Sequence, residues 1–231
     1  MIKLFLTVFV VSSVYTVSVP EVKITGTMKN IMMQGDFKAY AQLDTFSKKN
    51  LYGLGPVEDL KGEILVLNGE IYSSEKIVKM ISNKVNTVQK AAMFVYSYVE
   101  NWKVVEVQAN VSSHAELEAV VASTAKKNGY DTTVPFVFKI EANPKLAAYH
   151  IIDWVKGENH TMENHKQFAY SGKIENSNVI LLGFYSDHHH SIFTHHTTNM
   201  HVHVLDSKTK QVGHLDDFQS LKNFKIYLPI S

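Results

Sequence analysis

The stretch MHVHVLDSKTKQVGH (residues 200–214) contains two short segments of alternating apolar and polar residues on either side of a polar break. Successive side chains of a β-strand point to opposite faces, so His201 and His203 share one face and the apolar residues around them share the other. The apolar face is expected to pack against a core. The first segment is therefore predicted to be a strand that carries histidines on one face.

The polar break Ser207-Lys208-Thr209-Lys210 has the length of a hairpin loop. A four-residue loop pairs Asp206 with Gln211 and places His203 directly opposite His214, with Cβ atoms about 4.5–5.5 Å apart. The prediction depends on this register, because a loop one residue longer or shorter would move His214 to the other face.

Three imidazoles on one surface, those of His201, His203 and His214, have the arrangement of a three-ligand metal site. Three protein ligands leave coordination positions open, which is typical of a catalytic metal. Nitrogen donors without thiolates suit zinc, and other divalent first-row ions are alternatives. The competing interpretation is a set of ordinary polar residues on an exposed strand, because a bare H-x-H spacing is common.

The rest of the chain predicts an α+β protein with mixed or antiparallel β-sheets and few helices. Asn68-Gly69 between two β-prone runs predicts a hairpin that pairs Leu67 with Glu70. Ser113 and Glu116 form a capping pair at the start of a helix predicted over residues 113–128. Further strands are expected within the ranges 91–107, 135–154, 179–187 and 200–230.

Three other regions contain breakers or polar segments. Residues 21–33 are expected to form a strand that leads into a turn, and residues 35–48 a helix or an irregular segment. Residues 51–62 contain three glycines and a proline and are expected to form a loop.

Residues 1–18 are typical of a secretory signal peptide, since Lys3 precedes the apolar run Leu4–Val11 and small residues follow. The run is shorter than the roughly 20 residues that span a bilayer. The protein is therefore expected to be secreted or periplasmic. Residues 19–231 are expected to form one domain, or two β-rich subdomains with a boundary near residues 130–155.

The composition excludes several classes of protein. The chain has no cysteine, so disulfides cannot stabilise it. Its net charge is +1 with neutral histidines, and its lysines are scattered, which argues against a nucleic-acid partner. Histidine is the unusual residue: there are 12, and seven lie between His188 and His203.

Three stretches in order resemble the alpha-acetolactate decarboxylase family. HVHVLDSKTKQVGHLDDF (201–218) resembles its zinc-binding signature, LYGLGPVEDLKGEILVLNGEIY (51–72) its N-terminal hairpin, and VILLGFYSD (179–187) the strand before the histidine strand. The resemblance covers residues 21–228. It implies metal-dependent decarboxylation of 2-acetolactate to acetoin, with Zn²⁺ or another divalent first-row metal acting as a Lewis acid on the enediolate.

The resemblance also implies site residues. Glu63 matches an active-site glutamate, as a general acid or as the group that orients the substrate hydroxyl; the alternative is an exposed strand carboxylate. The family's active-site arginine has no equivalent in FVFKIEANPKLAAYHI (136–151), where His150 is the nearest counterpart or, alternatively, an ordinary strand histidine. A protonated His150 would hold the substrate carboxylate, so activity should fall above pH about 6.5. The family's acidic C-terminal extension is not expected in a sequence that ends at Ser231.

Several neighbouring polar residues have more than one candidate role. His195 and His196 are candidates to orient the ligands. The hairpin register places Asp216 on the histidine face, where it either hydrogen-bonds a ligand or is solvated, and Asp217 on the other face. The triplet His188–His190 is better interpreted as a solvated loop.

The sequence also allows two alternatives to a decarboxylase. One is a secreted metal-binding protein of the same fold without decarboxylase activity. The other is a non-enzymatic, β-rich binding module with incidental histidines. The expected partner is a small-molecule 2-hydroxy-3-keto acid rather than nucleic acid or, after leader cleavage, a membrane, and a homodimer is a candidate assembly.

Overall fold

The computed structural model describes residues 17–87, 89–159 and 161–231. The α-helices of this part are α1 Met28–Gln34, α2 His114–Lys127 and α3 Met162–Phe168, and 3₁₀ turns occupy Leu43–Thr45 and Glu58–Leu60. The strands are β1 Val22–Thr25, β2 Ala41–Gln42, β3 Leu51–Pro56, β4 Glu63–Leu67, β5 Glu70–Ile77, β6 Met80–Val85, β7 Lys90–Ala91, β8 Phe94–Tyr98, β9 Asn101–Val111, β10 Phe136–Ala142, β11 Leu146–Ile151, β12 Tyr170–Glu175, β13 Val179–Tyr185, β14 Met200–Asp206, β15 Val212–Gln219 and β16 Leu221–Ile230. The predicted signal peptide lies outside the described residues except for its last two positions.

The strands form two large sheets and one small one. The six-stranded sheet has the order β1-β8-β3-β4-β5-β6, the eight-stranded sheet the order β12-β11-β15-β14-β13-β10-β16-β9, and β2 pairs with β7. All strand ladders among the described residues are antiparallel. The predicted α+β fold with antiparallel sheets and few helices is confirmed.

The chain passes from the smaller to the larger sheet between β8 and β9, at residues 99–100. This crossing lies upstream of the interval 130–155, and β10 and β11, which both lie within that interval, belong to the same sheet. Among the described residues, none of the helices has the length and apolar character of a membrane-spanning segment.

The two large sheets face each other across a shared apolar core. Leu54 and Leu65 of the smaller sheet pack with Leu182, Phe184 and Leu205 of the larger sheet, and all five are at most 2% exposed. Leu205 lies on the same face of β14 as His203. The histidine face of β14 therefore points towards the smaller sheet, between the layers.

Helix α2 covers the other face of the larger sheet. Its residues Leu117, Val121 and Ala125 are fully buried in one cluster with Val202 and Val204 of β14. The predicted capping pair is present at the first turn. Ser113 Oγ accepts from the Glu116 N–H (3.2 Å), and the Glu116 carboxylate accepts from the Ser112 N–H (2.7 Å).

Two local predictions were wrong. The strand predicted over 21–33 ends at Thr25, and α1 follows, with Thr27 Oγ1 accepting from the Asn30 N–H (3.1 Å) and Gly35 in a left-handed cap. The predicted loop 51–62 contains strand β3. Its Gly55 lies where a Cβ would collide with the Met93 carbonyl oxygen, so this glycine permits close packing and does not end the strand. Residues 35–48 are largely irregular, which agrees with the second of the two expectations, a helix or an irregular segment.

Candidate metal centre

The β14–β15 hairpin has the predicted register. His203 pairs with His214, and the Asp206 N–H donates to the Gln211 carbonyl (2.9 Å). The Lys210 N–H closes the loop on the Asp206 carbonyl (2.9 Å). The four-residue loop thus brings His214 to the face that carries His201 and His203.

The Asp206 side chain fixes the length of this loop. Its Oδ1 accepts from the Lys208 N–H (2.9 Å) and the Ser177 hydroxyl (3.0 Å), and its Oδ2 accepts from the Thr209 hydroxyl (2.9 Å). Burial raises the pKa of Asp206, but these donors outweigh it and hold the pKa below its usual value. The ionised carboxylate therefore ties the loop to itself and to the neighbouring β12–β13 connection.

Gly213 brings a further strand close to the hairpin. A Cβ at Gly213 would collide with the ring of Tyr149 on β11, which lies across this position. The two strands pair so that His150 lies opposite His214, with ring centroids 4.8 Å apart. A fourth imidazole thus adjoins the three predicted ligands.

The three predicted ligands form a compact cluster. One ring nitrogen from each of His201, His203 and His214 lies within 4.8 Å of the others. His201 Nδ1 donates to the Phe193 carbonyl and His203 Nδ1 to the Ile64 carbonyl, both at 2.8 Å. Because a carbonyl oxygen only accepts, each Nδ1 carries the proton and each Nε2 presents a lone pair.

The geometry between these lone pairs fits a cation. The Nε2 atoms of His201 and His203 are 3.2 Å apart, yet neither has a proton to donate to the other. A tetrahedral zinc with Zn–N bonds of about 2.0–2.1 Å separates its ligand nitrogens by about 3.3–3.4 Å. The observed Nε2–Nε2 distance of 3.2 Å is close to this ligand–ligand separation. Two carbonyl groups orient the rings, as is usual for metal-bound histidines.

The electrostatics of the cluster also suits metal binding. Burial first, and then the charge of neighbouring imidazoles, lowers the pKa of all three histidines. The pKa of His203 falls to about 3, and those of His201 and His214 fall well below the usual value. The rings are therefore neutral near pH 7, which is the form that coordinates a metal.

Glu63 lies beside this cluster at the start of β4. Its side chain is buried, with Oε1 accepting from the Ile152 N–H (3.3 Å) and Oε2 3.4 Å from His203 Nε2. Burial raises the pKa of Glu63 to about 7, against the opposing effect of a charged His150. The alternative of an exposed strand carboxylate is wrong.

His150 forms a pair with Asp216. Its Nδ1 is 2.6 Å from Asp216 Oδ1, and Asp216 is left unpaired by a bulge in β15 opposite β11. Burial lowers the pKa of His150, but the hydrogen bond and charge of Asp216 and the charge of Glu63 outweigh it and raise the pKa. Asp216 thus orients His150, and Asp217 accepts from the His114 N–H (2.9 Å).

The other histidines divide between the pocket and the surface. His195 lines the pocket, with its ring edge-on to His214 at 5.9 Å, whereas His196 is exposed. His189 contacts Ser186 Oγ (2.8 Å) and stacks on Phe193, and its two neighbours in the triplet are exposed. The surface-loop interpretation of the triplet agrees with this arrangement.

A cavity of about 660 Å³ opens in front of the cluster. Its polar wall contains four of the predicted site residues, Glu63, His150, His201 and His214. It also contains three groups that the sequence did not indicate, His114, His165 and Lys166. These come from the first turn of α2 and from α3, and no local motif connects them with the hairpin. Another part of the lining is apolar and includes Met28, Ile31, Met32, Leu60 and Ile152.

A concave pocket in which buried, pKa-shifted groups converge on a rigid sheet scaffold is typical of an enzyme active site. The class that fold and site define is therefore an enzyme with a histidine-based centre. The chain belongs to the alpha-acetolactate decarboxylase family, whose sequence model matches residues 25–230. Membership of this family identifies it as a carboxy-lyase, an enzyme that releases carbon dioxide by breaking a carbon–carbon bond, and the resemblance seen in the sequence is confirmed.

Solved structures show the same fold. The alpha-acetolactate decarboxylase of Bacillus subtilis strain 168 superposes with a TM-score of 0.76 at 14% identity, covering 91% of this chain and 86% of that one. The acetolactate decarboxylase of Bacillus subtilis subspecies spizizenii gives 0.75 at 14% identity over the same shares. A Staphylococcus aureus protein of unknown function, similar to alpha-acetolactate decarboxylase, gives 0.73 at 15%, covering 90% and 84%. No curated protein sequence matches significantly.

Proposed function

We propose that this protein decarboxylates 2-acetolactate to acetoin with a divalent metal, zinc in the first instance, held by His201, His203 and His214. The observation that carries the proposal is the pair of Nε2 lone pairs that face each other at 3.2 Å while both Nδ1 protons are engaged by carbonyl groups. Neutral imidazoles in this arrangement repel one another unless a cation lies between them.

The reaction needs stabilisation of negative charge and delivery of one proton. The bond between C1 and C2 of the acid breaks, carbon dioxide leaves, and the electron pair spreads over C2, C3 and the ketone oxygen. A bound metal would supply Lewis-acid stabilisation of the oxygen atoms that take up this charge. One proton then adds to carbon and gives the hydroxy ketone.

Glu63 is the proposed proton carrier. Its carboxyl group lines the cavity next to the histidine cluster, and burial raises its pKa to about 7. A group that is partly protonated at neutral pH can both give and regain a proton during turnover. Its hydrogen bond from the Ile152 N–H fixes one oxygen and leaves the other directed at the cluster.

His150 is proposed to bind the substrate carboxylate. The full sequence contains no arginine, so no bidentate guanidinium contact can be made. His150 lines the cavity, and Asp216 fixes its Nδ1. The remaining Nε2–H can donate one charge-assisted hydrogen bond, which is weaker and less directional than an arginine fork.

Metal analysis and an acetoin assay together test the proposal. The purified protein should contain about one zinc or similar ion per chain, and a chelator should remove both the metal and acetoin formation. His203→Ala should lose both, and Glu63→Gln should keep the metal and lose turnover. His196→Ala is the matched control, because this histidine is exposed and does not line the cavity.

The outcomes separate the alternatives. Stoichiometric metal without carbon dioxide release would favour a metal-binding protein of the same fold that has lost the reaction. A protein without metal that still forms acetoin would refute the metal assignment.

We also propose that residues 1–18 are a cleaved signal peptide and that residues 19–231 act outside the cytoplasm. The charged start and short apolar run of the sequence support this. Sequencing the N-terminus of protein recovered from the medium or periplasm tests it. An intact Met1 in the mature protein would contradict cleavage.

A further inference from the structure

The cavity is much larger than the proposed substrate. Acetolactate occupies about the volume of five or six water molecules in the liquid, roughly 160 Å³. The cavity measures about 660 Å³, so this acid would fill about a quarter of it. The proposed chemistry uses only the polar wall, which leaves the rest of the space without a role.

The unused space is bordered by an apolar surface. Met28 and Ile31 of α1, Leu60 of the 3₁₀ turn and Ile152 after β11 line it and belong to one buried cluster. This surface begins next to the reacting groups, because the Ile152 N–H donates to Glu63 Oε1 (3.3 Å). We call these four residues, together with Met32, the apolar wall.

The apolar wall is held in place by the loop between β13 and β14. The first two N–H groups of α1 donate to that loop, from Met28 to the Ile192 carbonyl (2.8 Å) and from Lys29 to the Ser191 carbonyl (2.9 Å). Helix α1 is thus fixed to the segment that also carries His195. A substrate bound by the polar wall would therefore lie at a fixed distance from α1.

Leu60 is placed in the wall at a conformational cost. It has a φ of 52°, and the preceding Asp59 has a φ of 57°. Left-handed backbone is unfavourable for a residue with a branched side chain and persists only where the surroundings enforce it. Here the Trp154 N–H donates to the Leu60 carbonyl (2.9 Å), and the Leu60 N–H donates to the Val57 carbonyl (3.0 Å).

We propose that the preferred substrates are 2-hydroxy-3-oxo acids in which an apolar chain of three to six carbons replaces one methyl group of acetolactate. This inference rests on the proposed function and specifies its substrate class. The reaction is unchanged: the C1–C2 bond breaks, carbon dioxide leaves, and one proton adds to carbon. The added chain lies against the apolar wall and contributes binding energy remote from the reacting atoms.

A substrate series tests this on the metal-loaded enzyme. Burial of one methylene group contributes about fourfold to kcat/KM, so a butyl group in place of methyl should raise kcat/KM about 60-fold. Equal or lower kcat/KM for the butyl acid overturns the inference and leaves the decarboxylase assignment standing. No carbon dioxide from either acid overturns both.

Two neighbouring methionines provide a matched pair of variants. Met32 lines the cavity, whereas Met33 on the same helix is 75% exposed and does not line it. Met32→Trp should lower the butyl-to-methyl ratio of kcat/KM at least tenfold by filling the space beside the wall. Met33→Trp should leave the ratio within twofold of the wild type, and an equal change in both variants contradicts the assignment.

Equilibrium binding provides a readout that does not depend on turnover. The 2-hydroxy-2-alkyl acids without the 3-oxo group cannot lose carbon dioxide by this route, and calorimetry can follow their affinity for the metal-loaded protein. The affinity should rise with chain length from methyl to butyl in the wild type and more weakly in Met32→Trp. Affinity independent of chain length would overturn the inference.

Discussion

The cost of keeping Glu63 inside the protein can be measured with Glu63→Gln in the metal-free state. Burial raises the pKa of this group from 4.5 to about 7. A shift of about 2.5 units corresponds to about 3 kcal/mol of destabilisation once the group is ionised in both the folded and the unfolded chain. Glutamine has nearly the same shape and can still accept from the Ile152 N–H, so it removes the charge and little else.

The sign of the pH dependence follows from the direction of the shift. Below pH 4.5 the group is protonated in both states and there is no penalty. Between pH 4.5 and about 7 the unfolded chain ionises first, so the folded state loses stability as the pH rises. Above pH 7 the penalty is complete. Glu63→Gln should therefore exceed the wild type by less than about 1 kcal/mol at pH 5 and by about 3 kcal/mol at pH 8.

Urea unfolding of chelator-treated protein at pH 5 and pH 8 measures this difference. Glu100→Gln, at an exposed position, controls for the general effect of removing one negative charge. The reasoning is refuted if Glu63→Gln is no more stable than the wild type at pH 8, or if its advantage is the same at both pH values. The expected stabilisation together with loss of acetoin formation would mean that function maintains this carboxylate at the expense of stability.

Four further predictions concern the scaffold of the site. Asp206→Ala should lower zinc affinity measured by calorimetry about tenfold or more, because the loop that sets the His203–His214 register loses three hydrogen bonds; unchanged affinity would show that register does not depend on this side chain. The pKa of Asp206 is lowered, so its contribution to stability should be complete above pH 3.8 and lost as the pH falls below it, which acid unfolding of wild type and Asp206→Ala would show. Gly213→Ala should cost about 1–3 kcal/mol in urea unfolding through its collision with the Tyr149 ring, and Tyr149→Ala in the same chain should reduce that increment; an additive double variant would argue against the collision. Ser113→Ala should cost about 1 kcal/mol by removing the cap of α2, with Ser112→Ala as the adjacent control.

The histidine hairpin could be predicted from the sequence because its determinants are local. Strand alternation assigns the faces, and the four polar residues between Asp206 and Gln211 set the register. The Asn68-Gly69 turn and the capping pair at Ser113 and Glu116 are predictable for the same reason. In each case a few adjacent residues fix the backbone geometry.

The two wrong assignments have different physical origins. Helix α1 had a local signal in the Thr27 cap and the Gly35 stop, but β-prone residues before it dominated the interpretation. Strand β3 had no such signal. The role of Gly55 in accommodating the Met93 carbonyl depends on a strand nearly forty residues later in the chain, so the glycine was interpreted as a breaker.

The pocket itself was beyond prediction from local patterns. Its polar wall combines β4, β11, the first turn of α2 and the hairpin, and its apolar wall combines α1 with a 3₁₀ turn. Family resemblance points to His150, but its pairing with Asp216 arises from a β-bulge that no residue type in the sequence indicates. Tertiary packing, rather than periodicity, brings these groups together.

The two carbonyl groups that orient the histidine rings differ greatly in their distance along the chain. The partner of His201 lies eight residues away, whereas the partner of His203, the Ile64 carbonyl, lies 139 residues away on the other sheet. A nascent chain that has completed only its first sheet therefore has neither ring in place. A chain segment that has formed only the hairpin and the residues just before it can orient the His201 ring but not the His203 ring. A metal held by these three histidines, as proposed, would accordingly be loaded late in biogenesis, in the compartment in which the two sheets finally meet.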